Sequence, residues 1–158
     1  MSRFARHSLR FLKIMAENIR EKIENKIIDY IVLGSGGRLL VTKPEDPGSG
    51  ADLVIKRKGE YKPEKDKNSI EQIIVKVKAF GSKTKKSKEE IFLTVRSQKE
   101  NIDISKFSAV PNFYLLLVSF DIVKQDIEDN ARIVKLDESK QEFLINKKDL
   151  AQFFLNLV

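Results

Sequence analysis

The sequence contains no cysteine. Disulfides and zinc-thiolate sites are therefore excluded, and an intracellular compartment is favoured. There is a single histidine, His7, in a basic N-terminal segment. A His-based triad or a His-rich metal centre is not expected from one imidazole. No apolar run approaches the roughly 20 residues of a membrane span, so no membrane partner is expected. Acid is missing from residues 1–15, which carry Arg3, Arg6, Arg10 and Lys13.

What is present is enough for one core. The chain has 158 residues, 41% of them hydrophobic, and reads as a single domain over 1–158. Its net charge is +7 and is unevenly spread. Residues 56–88 hold twelve basic and four acidic side chains, while 16–55 and 89–158 are net acidic. Positive charge gathered in two stretches suits a polyanion such as nucleic acid. Solvated lysine-rich loops would give the same pattern.

Leu12, Met15, Ile19, Ile23, Ile27, Tyr30 and Ile31 recur at steps of mainly three and four. That spacing predicts an amphipathic helix over about 8–33, stopped by Gly34-Ser35-Gly36-Gly37. The arginine-rich start could alternatively be a targeting segment, but the apolar stripe runs on into the helix. Strands are expected at Arg38–Thr42, Ala51–Lys56, Gln72–Phe80 and Ile91–Val95, and a short helix at Ile102–Phe107. Along Gln72–Phe80, Ile73, Val75 and Val77 share one face, and Ile74, Lys76 and Lys78 the other. Phe113–Phe120 is almost unbroken apolar sequence, the mark of a central strand covered on both faces. A hairpin over Arg132–Leu136 and Glu142–Ile145 closes the sheet core, about 38–145, and a terminal helix spans about 147–157. The fold class is α/β, a mixed sheet with helices packed on it.

Asp52 opens the second strand after a glycine-rich loop, where backbone can approach a phosphate. It is a candidate metal ligand, or a turn residue following Gly50. Lys78, on the third strand, is a candidate stabiliser of developing negative charge. Lys76, on the same face, is a further catalytic candidate, and both lysines also read as the solvent side of an edge strand, where lysine guards against aggregation. Lys56, Arg57 and Lys58, with the loop residues Lys83, Lys85, Lys86 and Lys88, are candidate phosphate contacts.

The order and spacing of these residues resemble the PD-(D/E)XK nuclease superfamily, in particular its restriction-endonuclease-like and Holliday-junction-resolvase-like members. The resemblance covers about residues 16–120. It rests on Ala16-Glu17 in the first helix, the glycine-rich turn before the first strand, Gly50-Ala51-Asp52, and Lys76-Val77-Lys78. It implies a restriction-endonuclease-like mixed sheet flanked by helices, Mg²⁺ as cofactor and Asp52 as the first metal ligand. It also implies Lys78 as the catalytic lysine and Glu17 as an accessory acid. The family's second carboxylate falls at Lys76. An ammonium there repels a divalent ion and can pair with Asp52. Glu17 lies off the apolar stripe and, with Glu21 and Glu24, reads as a solvated acidic face.

The leading expectation is a nuclease-like domain that binds nucleic acid, DNA ahead of RNA, with metal-dependent cleavage impaired or lost. A homodimer is compatible with the same fold. One alternative is a structural or protein-interaction module. Another is an active Mg²⁺-dependent endonuclease whose missing acid is supplied by Glu71 or Asp103.

Overall fold

The computed structural model describes residues 3–45, 51–59, 70–81, 112–121, 123–137, 139 and 141–158, without the side chains of residues 3–17, 80 and 81. The strand expected at Ile91–Val95 and the helix at Ile102–Phe107 lie outside the described residues. So do Asp103, Lys83, Lys85, Lys86, Lys88 and the side chain of Glu17.

The first helix, α1, runs Arg3–Gly34. Ile23, Ile27 and Ile31 are buried along it, as the three- and four-residue spacing requires. It stops where Gly36 and Gly37 take positive φ of 65° and 78°, a conformation glycine enters without cost. Ser35 is fully buried, and its hydroxyl donates to Val32 O at 2.9 Å and accepts from Leu39 N–H at 3.1 Å. That paired hydroxyl turns the chain directly into the first strand.

Among the described residues seven strands form one sheet: β1 Leu39–Thr42, β2 Leu53–Arg57, β3 Gln72–Gly81, β4 Phe113–Asp121, β5 Asp126–Ile127, β6 Asn130–Lys135 and β7 Glu142–Asn146. The spatial order is β1-β2-β3-β4-β6-β7, with β5 paired to the end of β4. β3 and β4 are parallel, and every other pairing is antiparallel. After β7, Lys147–Asp149 form a 3-10 turn, and α2 follows at Leu150–Leu155. Asn146 Oδ1 accepts from Lys148 N–H at 3.0 Å and fixes that turn.

Both helices cover one face of the sheet. Ile23, Ile27, Ile31, Leu150 and Phe154 pack on Leu53, Ile55, Ile73, Val75, Tyr114, Leu116 and Val118. Gly34 lets the end of α1 close on α2, since a Cβ there would stand 3.0 Å from Ala151 Cβ. The other face carries a second cluster of Phe113, Leu115, Leu117, Val134 and Leu136, with Ala51 and Ile74 against it. β4 is therefore buried on both faces, as its unbroken apolar run requires. No helix among the described residues is long and apolar enough to cross a membrane.

Two expectations are corrected. β3 is not an edge strand, because β2 flanks it on one side and β4 on the other. The long-range parallel pairing with β4 that makes it interior has no local signature. Glu24 is not solvated: its side chain is only 12% exposed. Three residues from Ile27 puts it about 60° off the stripe, at the margin where α1 meets the sheet. Glu21 is exposed, as expected.

Candidate nucleic-acid interface

Asp52 stands one residue ahead of β2, and its N–H already donates to Val75 O at 2.8 Å. Leu53 pairs with Val75, so Asp52 stands level with Lys76. Its carboxylate, however, does not turn to that lysine. Oδ2 accepts from Val77 N–H at 2.7 Å, and Oδ1 accepts from the Arg20 guanidinium at 2.9 Å. The Asp52 side chain is 11% exposed and that of Arg20 is 67% exposed. Arg20 also reaches Glu24 at 3.6 Å, one helical turn on, and Glu24 meets Lys43 at 3.6 Å. The result is an alternating row, Lys43, Glu24, Arg20, Asp52, joining α1 to the ends of β1 and β2.

Asp52 thus has two duties in the fold. Asp52→Ala leaves the Val77 amide, a buried position, without its acceptor and is expected to cost about 1–3 kcal/mol. Asp52→Asn keeps an acceptor and should recover part of that loss. Arg20→Ala should cost less than about 1 kcal/mol, because that partner is largely solvated. Urea midpoints of the three variants check the order.

Lys76 and Lys78 follow Ile74 onto the sheet face opposite α1. Their register partners on β4 are Leu115 and Leu117, both buried. Lys76 is half-buried and Lys78 exposed. The two lysines therefore stand on one face of an interior strand, two residues apart, level with buried leucines of β4.

Lys56, Arg57 and Lys58 lie at the other end of β2, all exposed. Asp52 and Lys58 are six residues apart, or roughly 20 Å along a strand. The fold therefore divides the candidate residues into two groups. Asp52, Lys76 and Lys78 share one end of β2 and β3. Lys56, Arg57 and Lys58 join Arg38 at the end where α1 stops, with Lys58 N–H donating to Arg38 O at 2.8 Å. Glu71 is exposed just before β3, at this second end.

A polar centre that no sequence pattern announces joins α1, β5 and the 3-10 turn. Asp126 Oδ2 accepts from Tyr30 Oη at 2.8 Å and from Lys147 Nζ at 3.1 Å. Lys147 also donates to Ile127 O at 2.9 Å and sits 5.3 Å from the centre of the Tyr30 ring. Burial opposes the charge on Asp126, but hydrogen bonds from Tyr30, Lys147 and the Ile127 amide hold its carboxyl below the ordinary value. Burial likewise opposes the Lys147 charge, and Tyr30 and Asp126 outweigh it, raising the ammonium. Burial first, and the Asp126 carboxylate beside it, push the Tyr30 phenol up. A pocket of about 330 Å³ opens beside this centre and is lined by Asp121, Asp126, Glu128 and Asp129, with Lys124 and Lys147. Its acidity makes it no place for a polyanion. The one available signal for this centre is Tyr30 itself, a phenol on the buried stripe that needs a polar partner.

No family model, curated protein or solved structure matches the chain.

Proposed function

We propose that the chain is a nuclease-like domain that binds nucleic acid, DNA ahead of RNA, and has lost metal-dependent cleavage. The observation that carries this reading is the placement of Lys76 and Lys78. Half-buried Lys76 and exposed Lys78 set two cations two residues apart on one sheet face, over buried Leu115 and Leu117 of the neighbouring strand. A phosphodiester backbone supplies the counter-charge. The order of elements supports the nuclease-like comparison. A long helix precedes a three-strand antiparallel meander, Asp52 opens the second strand, the lysines stand on the third, and a parallel fourth strand follows.

The donors around Asp52 do not fit Mg²⁺. A divalent ion needs carboxylate oxygens free to bind it. Both oxygens of Asp52 are engaged, one by a guanidinium. Glu24, the nearest other carboxylate of the row, is paired with Arg20 and Lys43. Lys76 adds a further positive charge at the level of Asp52. The guanidinium of Arg20 supplies the counter-charge that a metal would otherwise bring.

One observation favours a second reading, a structural or protein-interaction module. The Asp52 carboxylate ties α1 to β3 and needs no ligand for that task. Salt separates the two. Binding through phosphates releases counterions, so affinity for labelled duplex DNA should fall steeply between about 50 and 200 mM salt. Absence of binding at the lower salt would move the assignment to the scaffold.

A further inference from the structure

At the end of β2 away from Asp52 lies an open groove of about 700 Å³. Its walls are the turn Gly36-Gly37-Arg38, the end of β2 at Arg57 and Lys58, and one side of α2 with Gln152, Leu155 and Asn156. Among the described residues three cations and two side-chain amides line it, with no acidic side chain and no aromatic ring.

Several of these groups are held in place by hydrogen bonds within the fold. Arg38 Nε donates to Ser35 O at 2.8 Å, and Arg57 donates to the Val158 carbonyl. Gln152 Nε2 donates to Asn156 Oδ1 at 2.8 Å, which turns the Asn156 NH₂ group away from its neighbour. Among the described residues the Lys58 ammonium has no acidic partner. The wall at Gly36 and Gly37 is bare backbone, since a Cβ at either position would meet nothing within 4 Å.

We propose that this groove is a second anion site, which holds the sugar-phosphate backbone of nucleic acid through Arg38, Lys58 and the Gln152 and Asn156 amides. It rests on the nucleic-acid reading above and adds to it a place, distinct from Asp52, Lys76 and Lys78. The grouped cations select the polyanion. Amide donors suit phosphate and sugar oxygens. With no aromatic ring among the described lining residues, the groove offers contacts to backbone and not stacking to bases.

The test is fluorescence anisotropy of labelled duplex DNA with Lys58→Glu, Gln152→Glu and the double variant. Both side chains are exposed, so the unfolding midpoint should stay at the wild-type value. The double variant is expected to bind about tenfold or more weakly, and the loss of Lys58 should reduce the salt slope by about 1. Unchanged affinity and slope in the double variant, with binding lost in Lys76→Glu/Lys78→Glu, would overturn the groove and leave the proposed function standing. A wild-type protein that binds no DNA at any salt would overturn the proposed function itself, and the groove with it.

Discussion

Replacing Lys147 by methionine is expected to lower the stability of the protein by about 2–4 kcal/mol. The side chain is 12% exposed, and its ammonium is the charge partner of Asp126. Methionine keeps the length of the stem and removes only the charge and its hydrogen bonds. Asp126, 27% exposed, would then face Tyr30 and the Ile127 amide without a cation. For a chain of this size the change corresponds to roughly 3 °C in Tm per kcal/mol.

The pH dependence identifies the cause. Asp126 titrates below its ordinary 3.8 in the folded state. Its contribution is therefore present above 3.8 and is lost as pH falls through the lower folded value. Lys147 titrates above its ordinary 10.5 and Tyr30 above 10.0. Their contributions are present below those values and are lost as pH rises through the higher folded ones. The difference between wild type and Lys147→Met should thus be flat from about pH 5 to 9 and shrink beyond both ends. Urea titrations across that range measure it. A difference that stayed constant down to pH 2 would show that packing of the stem, not the charge, is what methionine fails to replace.

The second large effect is on binding. Lys76→Glu/Lys78→Glu reverses two charges on the interior strand β3, and duplex DNA affinity should fall by about 100-fold at low salt. The salt slope should become shallower by about 2, one for each phosphate no longer neutralised. Lys76→Gln/Lys78→Gln should fall between wild type and the charge reversal. The core residues of β3 are Ile73, Val75 and Val77, which face the helices, so the unfolding midpoint should move little. Affinity that is equal in all three proteins would remove these lysines from the interface.

Much of the fold is legible in local pattern. The stripe of Ile23, Ile27 and Ile31 marks α1 and its buried face. The alternation through Ile73–Lys78 marks β3 and places both lysines on the face away from the helices. The apolar run of β4 shows burial on both sides. Where pattern fails, the cause is distance along the chain or shortness. β5 is two residues long, too short for any period to show. Arg20 and Asp52 are separated by 32 positions, and Tyr30 and Asp126 by 96. Only the folded sheet brings those groups together. The same holds for β3: its lysines resemble edge guards because nothing near them in sequence announces the parallel strand beyond.

The candidate site is legible in its residues and not in their grouping. Asp52, Lys76 and Lys78 lie at one end of β2 and β3, but the Asp52 carboxylate turns to Arg20 of α1, which no motif singles out. Arg20 stands seven positions before Ile27, about 20° from it around α1, so its largely exposed side chain leaves the helix toward the start of β2.

The most direct test of binding without cleavage is to incubate labelled single-stranded, duplex and branched DNA with the protein in Mg²⁺, Mn²⁺ or EDTA. Binding and strand integrity are then measured in the same samples. Binding in all three conditions with intact strands is the expected result. Cleavage that needs the metal and disappears in Asp52→Ala and Lys78→Ala would contradict it, and would show that Arg20 yields the Asp52 carboxylate to a divalent ion.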